Sequence, residues 1–256
     1  MPCLDLEAEL NETVRIVRLS AGSLEECWKT AKYRIQEKNS DDFVTSIDLE
    51  ISDYLRSRLP QAKKRIWLSE ENSIPSDLTF QKDTWIVDPI DGTRELIQGI
   101  PEFAVSVALA RSSRLILAVI YNPITDECFY ASENGGAWLN GQRILVIRPG
   151  KKETKKWLIS RTDSKNGAFA SLSHRNELLV MGSIAYKLAL VAAGKSHGTI
   201  SVTPKNLWDY AAGALLVKEA DGMTTDLMGN DLTRELRCSP VAGLMARHSS
   251  LDFYEN

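Results

Sequence analysis

One segment constrains the fold more than any other. The apolar run Trp85-Ile86-Val87 leads directly into Asp88-Pro89-Ile90-Asp91-Gly92-Thr93. Three large apolar residues in a row predict a buried strand, and the residues after them predict that it runs out into a turn. Asp88 and Pro89 bias the chain to an extended start. Gly92 permits a positive φ and close approach by a ligand. Thr93 heads a short helical pattern, Arg94 to Gln98, which Gly99 and Pro101 end. Carboxylates suit a hard cation, and helix-opening N–H groups suit a phosphate. Both within six residues point to metal-assisted phosphate chemistry.

Composition narrows the classes without choosing among them. A chain of 256 residues can form one large domain or two packed halves. A net charge of −3 argues against broad electrostatic binding of a nucleic acid polymer. It is compatible with a small phosphate ester if divalent cations lie between ester and protein. Cys3, Cys27, Cys128 and Cys238 form no C-x-x-C pair and match no zinc spacing. Buried or partly buried thiols of a reducing cytosol are expected. His174, His197 and His248 stand among polar residues and are expected at the surface. The N-terminus has no charged segment followed by an apolar one, and no apolar run is long enough to span a bilayer. The expected location is cytoplasmic, away from membranes.

Periodicity divides the chain into alternating helices and strands. Residues 4 to about 36 follow a helical spacing, interrupted near Gly22. Asn39-Ser40-Asp41-Asp42 reads as a polar turn. A second helix is predicted over Ile47–Leu59. Strands follow at Arg65–Leu68, Thr84–Val87, Ala104–Ala110, Ile116–Asn122 and Cys128–Ser132. Asn140-Gly141 is a hairpin signal. The lysine-rich stretch Pro149 to Lys156 reads as the connection between two halves, 1–150 and 151–256. Beyond it come strands at Trp157–Ser160 and Glu177–Val180, then a helix at Ile184–Ala193 and a strand at Thr199–Val202. A helix at Trp208–Ala220 and strands near Met223–Asp226 and Gly243–Ala246 complete the pattern. No internal repeat appears. The class is mixed α and β, with layered sheets and helices.

Four places carry acids at turns or element ends: Asp48, Glu70 with Glu71, Asp88 with Asp91, and Asp209. Each has an ordinary explanation. Asp48 suits the first turn of a helix and Asp209 a helix cap. Glu70 and Glu71 could simply be solvated. Together they form a donor set for magnesium, which prefers oxygen ligands. Two ions about 4 Å apart can hold a phosphate ester and activate water. Asp88 is placed to bridge them, and the Ile90 carbonyl adds a neutral oxygen, since the turn leaves it free of a ladder. Gly194-Lys195-Ser196-His197-Gly198 matches the nucleophile elbow G-x-S-x-G, but that motif needs a strand before it and a helix after it. Here the order is reversed, so Ser196 is expected to be inert. No P-loop or dinucleotide fingerprint occurs.

The stretch from Trp85 to Thr93 resembles the first signature of the inositol monophosphatase superfamily. Trp208-Asp209-Tyr210-Ala211-Ala212-Gly213, with Glu219-Ala220-Asp221-Gly222 after it, resembles the second. Val44-Thr45-Ser46-Ile47-Asp48 and Ser69-Glu70-Glu71 match in order, and the resemblance runs from about residue 5 to 247. It implies a layered αβαβα sandwich of the inositol monophosphatase and fructose-1,6-bisphosphatase type, often a homodimer and often inhibited by lithium. It implies two or three Mg²⁺ ions. Glu70, Asp88 and the Ile90 carbonyl would hold the first; Asp88, Asp91 and Asp209 the second. Thr93, oriented by Asp48, would help Glu70 polarise the attacking water. Gly92 and Thr93 would hold the phosphate through their N–H groups, with Asp91 and Asp209 beside the substrate.

The implied reaction is Mg²⁺-dependent hydrolysis of a small phosphate monoester. Typical inositol enzymes carry a glutamate seven residues before the second-signature aspartate; here that residue is Val202, which cannot accept a hydroxyl hydrogen bond. Arg94-Glu95-Leu96 and Ser160-Arg161 are closer to 3′(2′),5′-bisphosphate nucleotidases. The resemblance therefore favours a nucleotide 3′-phosphate such as 3′-phosphoadenosine 5′-phosphate. An inositol or sugar phosphate is the alternative. A non-catalytic metal-dependent binding protein on the same fold is the alternative of another class.

Overall fold

The computed structural model describes residues 6–22, 24–39, 42–61, 64–72, 74, 78–150, 154–170, 176–234 and 236–251. The first half runs α1 (Leu6–Ser20), α2 (Leu24–Thr30), β1 (Ile35–Asn39), β2 (Asp42–Thr45), α3 (Ser46–Arg58), β3 (Ile66–Ser69), β4 (Thr84–Asp91) and α4 (Thr93–Ile97). Next come β5 (Ala104–Arg111), β6 (Arg114–Asn122), β7 (Glu127–Ser132), β8 (Gly136–Leu139) and β9 (Gln142–Ile144). The second half runs β10 (Lys155–Ile159), α5 (Arg161–Lys165), β11 (Asn176–Val180), α6 (Ile184–Ala192), β12 (Gly198–Ser201), α7 (Leu207–Glu219), β13 (Gly222–Asp226) and β14 (Leu244–His248). Cys3, His174, Ser40, Asp41 and residues 151–153 of the predicted connection lie outside the described residues. Among the described residues, no helix is long and apolar enough to cross a membrane.

Two large sheets carry the fold. One has seven strands in the order β3-β4-β5-β6-β7-β8-β9; the other has five, in the order β11-β10-β12-β14-β13. β3 and β4 are parallel, and the remaining neighbours in the larger sheet are antiparallel. Successive side chains of a strand point to opposite faces, so a sheet covered on both sides has apolar residues at every position. β4, β5 and β6 obey this. Trp85, Val87, Val105, Val107, Leu117 and Val119 join Leu10, Ile16, Val17, Ile51 and Leu55 in a core beneath α1 and α3. Their neighbours Ile86, Ala104, Ala108, Ala118 and Ile120 face the opposite core, built on α6 and α7.

The alanines on that second face let the two central helices settle close to the sheet. α6 and α7 also meet each other tightly: a Cβ at Gly213 would lie 2.4 Å from Leu188 Cβ. The five-stranded sheet closes the other side of these helices. Its far face packs Trp157, Ile159, Ile200 and Met245 against Phe169 and Leu251. Helices and sheets thus alternate in layers, as the resemblance implied.

Two element boundaries differ from the sequence pattern. The first helical region ends at Thr30, and Ile35–Asn39 pairs with β2 instead of extending a helix. α2 is closed by Ala31 at φ 50°, with Lys32 N–H donating to Cys27 O at 3.1 Å. This is the helix-ending turn usually signalled by glycine, here made by alanine. β4 likewise does not end at Val87. It continues to Asp91 through a bulge, with Asp88 opposite Ser106 and Asp91 opposite Ala104. Pro89 lacks an N–H for the ladder, and the bulge is where a strand tolerates that. The Asn140-Gly141 hairpin forms as expected, both residues at positive φ, with Leu139 facing Gln142.

Candidate active site

The bulge in β4 delivers Asp88 and Asp91 to the same end of the sheet as the residues following β3. Glu70 is held there by its N–H, which donates to Val87 O at 3.2 Å. α4, α6 and α7 start at this end. Glu70, Asp88, Ile90, Asp91, Gly92, Thr93 and Asp209 all line one cavity of about 640 Å³. The sequence separation between Glu70 and Asp209 is closed by the packing of α7 against the seven-stranded sheet. Asp48 is not on the cavity wall; it lies behind Thr93, whose hydroxyl donates to Asp48 Oδ1 at 3.0 Å.

Gly92 is required by its surroundings. It sits at φ 103°, and a Cβ there would lie 2.9 Å from Glu102 O. It opens α4, whose first residue is Thr93. The Thr93 hydroxyl has a second acceptor, Ile90 O, also at 3.0 Å. A hydroxyl has one proton, so the two acceptors share it. The Ile90 carbonyl thus lies outside the β4–β5 pairing, within the bulge, and is engaged by Thr93.

The carboxyl groups are strained electrostatically. Burial, and then the charges of Glu70, Asp91 and Asp209, hold the Asp88 carboxyl well above the usual carboxylate range. Asp88 is 1% exposed and its Oδ1 has no hydrogen-bond partner. Glu70 is the largest of the charges acting on it. Burial and the charge of Asp91 push Asp209 well up too. Burial also raises Asp91, opposed by hydrogen bonds from Ser183 and Ala185 and by the charges of Lys187 and Lys205. A set of oxygen donors disfavoured as anions by one another fits a hard divalent cation. Among the described residues, no three acidic side chains are already drawn close enough together to hold an ion. Asp91 Oδ2 is turned towards Ser183 and Ala185.

Several side chains at the cavity carry no signal in the spacing of acids. Ser183 Oγ donates to Asp91 Oδ2 at 2.6 Å, and Ala185 N–H donates to the same oxygen at 2.5 Å. Lys187 is 2% exposed and lines the cavity. Burial lowers its ammonium to about 8, with Asp91 opposing. A lone lysine in the otherwise apolar helix Ile184–Ala192 was the available clue. Lys205 also lines the cavity, with Nζ donating to Thr203 Oγ1 at 2.7 Å.

Other expectations change. Asp209 is not the cap of α7. Asn206 is, and Asp209 sits three residues on, accepting from the Asn206 N–H at 2.8 Å. Arg161 lines the cavity, but its Nη1 pairs with Glu102 at 2.6 Å and Glu95 at 3.1 Å. Ser160 caps α5. Both residues line the cavity, with Arg161 already paired to two glutamates. Val202 is exposed and is not on the cavity wall. Ser196 is buried, with Oγ facing Lys156 O at 2.9 Å and Gly198 O at 3.0 Å, away from the cavity. His197 is buried instead of exposed, its Nδ1 accepting from the Lys156 N–H at 3.1 Å. Cys128 is buried, and Cys27 and Cys238 are half-buried, all as free thiols.

Residues 6–251 match the inositol monophosphatase family. The chain belongs to that family. An inositol-1-monophosphatase of Rhizobium meliloti is 33% identical over 87% of this chain and 86% of its own length. The Nus factor SuhB of Escherichia coli is 32% identical over 86% of this chain and 85% of its own. Among solved structures, the extragenic suppressor protein suhB of Bartonella henselae superposes with a TM-score of 0.82. It is 29% identical, over 94% of each chain. Family membership makes this chain a phosphatase, a phosphoric monoester hydrolase acting on small phosphorylated substrates.

Proposed function

We propose that this inositol monophosphatase family enzyme hydrolyses its phosphate monoester with Mg²⁺ held by Glu70, Asp88, Ile90 O, Asp91 and Asp209. The single observation that supports the ligand set is Asp88: a buried carboxylate with an orphan oxygen, crowded by three other carboxylates. Two ions, or three, would supply charge neutralisation and a more acidic bound water.

The remaining work belongs to the chain itself. Gly92 and Thr93 line the cavity, and their N–H groups would take up phosphate oxygens, because the glycine at φ 103° lets the backbone approach closely. The Thr93 hydroxyl takes a proton from the attacking water as it passes its own to Asp48 Oδ1, so the hydroxyl is restored and Asp48 ends protonated. Asp48 is suited to this because its other oxygen is fixed. Thr45 N–H donates to Oδ2 at 2.8 Å and Thr45 Oγ1 at 2.5 Å. Burial raises Asp48 towards proton acceptance. Glu70, on the same wall, orients the water from the other side. Attack in line with the leaving oxygen then needs positioning more than covalent chemistry.

The substrate reading is finer. Arg94-Glu95-Leu96 and the lysines at the cavity favour an ester carrying additional negative charge, such as 3′-phosphoadenosine 5′-phosphate. The relative named inositol-1-monophosphatase favours an inositol phosphate, with sugar phosphates beside it. The deciding measurement is kcat/KM for 3′-phosphoadenosine 5′-phosphate, inositol 1-phosphate and fructose 1,6-bisphosphate under identical Mg²⁺. A large ratio assigns the branch. Phosphate release that persists without divalent cations would overturn the metal reading.

A further inference from the structure

We propose that the turn between β11 and α6, pinned by Lys187, is a positioning device that holds Asp91 in the one orientation suited to a divalent cation. This rests on Asp91 being a cation ligand, as proposed above. Lys187 is the only charged residue of α6 and is 2% exposed. An ammonium buried in an apolar helix needs partners. Its Nζ donates to Met181 O at 3.1 Å and Gly182 O at 3.2 Å. Both carbonyls belong to the turn that precedes its own helix. The lysine thus ties the turn back onto α6.

The turn is strained and braced from a second side. Ser183 sits at φ 50°, ψ 115°, a region that residues with a Cβ rarely enter. Gly182 N–H donates to Glu102 Oε2 at 2.8 Å, and a Cβ on Gly182 would lie 2.2 Å from Glu95 Cδ. Arg161 joins those two glutamates, at 3.1 Å to Glu95 and 2.6 Å to Glu102. Strained backbone persists only where its surroundings over-determine it, and such sites cluster where orientation matters.

The output of all these contacts falls on one atom. Ser183 Oγ and Ala185 N–H both donate to Asp91 Oδ2, at 2.6 and 2.5 Å. With Oδ2 engaged twice, Oδ1 is the oxygen offered to a ligand. Hydrogen bonds that orient a ligating carboxylate set metal affinity without touching the metal. Lys187 and Ser183 are therefore positioning residues. The sequence mark is Gly182-Ser183 followed by Lys187.

The test reads Mg²⁺ binding through protection against heat. Thermal unfolding is followed across a Mg²⁺ titration for the wild type, Ser183→Gly, Lys187→Met and Asp91→Asn. The reading is the Mg²⁺ concentration giving half of the maximal rise in Tm. Glycine tolerates φ 50° and is an acceptable helix cap, so Ser183→Gly removes the hydroxyl while sparing the backbone. We expect it to raise that concentration about tenfold. Its Tm without cations should change little, and its kcat/KM should recover at saturating Mg²⁺. Lys187→Met should move the midpoint in the same direction. An unchanged midpoint in Ser183→Gly, with a shifted one in Asp91→Asn, overturns the positioning role while leaving Asp91 as ligand. No shift in Asp91→Asn removes the ligand reading and this inference with it. If Lys187→Met does not fold, Ser183→Gly decides alone.

Discussion

Two helices of this enzyme begin with the same device and put it to different use. α3 and α7 each carry an aspartate at their third position, Asp48 and Asp209, and each aspartate binds back to the N–H of the helix cap, at 2.8 Å in both. In both, one carboxylate oxygen serves the helix and the other is left over. Asp48 then meets the Thr93 hydroxyl behind the cavity wall, whereas Asp209 stands on the wall itself. A capping box is thus a way to hold a carboxylate still. What the second oxygen does depends on what the tertiary fold brings opposite it. At Asp48 that partner is the Thr93 hydroxyl, the proposed proton relay; Asp209 feels the charges of Asp91 and Glu70, its partners in the proposed cation site.

The comparison is easiest to break with asparagine, which keeps the cap acceptor and removes the charge. Asp209→Asn should leave the fold intact and lower kcat by about a thousandfold, the scale of losing a principal charge-stabilising group. Near-wild-type turnover would place Asp209 among ordinary helix caps. Asp48→Asn should cost less, about a hundredfold in kcat with KM little changed, as expected for weakening a proton relay. A larger loss at Asp48 than at Asp209 would reverse the two roles.

The pH dependence of stability sharpens the same contrast. Asp88 and Asp209 are raised in the folded state, so the fold retains protons that the unfolded chain releases above about pH 4. Their contribution is fully present below that pH and is lost as pH rises through the raised values. Without divalent cations, Tm should therefore fall as pH rises above about 4, and saturating Mg²⁺ should flatten the fall. Asp209→Asn should reduce the cation-free slope more than Asp48→Asn, whose carboxyl is raised but less far. A cation-free Tm that rises over this range would contradict the crowding of the carboxylates.

Smaller effects test the frame around the two aspartates. Gly92→Ala forces a Cβ to within 2.9 Å of Glu102 O at φ 103°, and should destabilise the protein by about 1–3 kcal/mol. Denaturant unfolding would show it, with a matching loss of activity because the turn carries Thr93. Ser196→Ala should leave turnover within about twofold, since its hydroxyl serves only two carbonyls away from the cavity.

Much of this was legible in the residues. The acids of the site announced themselves at turns and helix starts, and the β-strands by apolar runs. The reach of β4 was not legible, because a bulge around Pro89 and Ile90 keeps Asp91 paired where the residues read as a turn. The end of α2 was missed because alanine, not glycine, takes the left-handed position at residue 31. The pairing of Arg161 with Glu95 and Glu102 was not legible either, because both glutamates are distant in sequence. Ser183 gave almost no warning, since a helix cap is ordinary wherever it occurs, and Lys187 gave only that of a lone charge in an apolar helix.

What the order of residues settled by itself was local: which segments are strands or helices, where each aspartate sits relative to a helix start, and which family the chain joins. Backbone preferences and periodicity act over a few residues, so they are written there in full. The tertiary structure decided which oxygen of each carboxylate is already used, which lysine is buried against which acid, and which arginine is engaged. Those outcomes depend on the packing of α6 and α7 between two sheets. Burial and Coulomb interactions act between groups that are neighbours only once that packing exists.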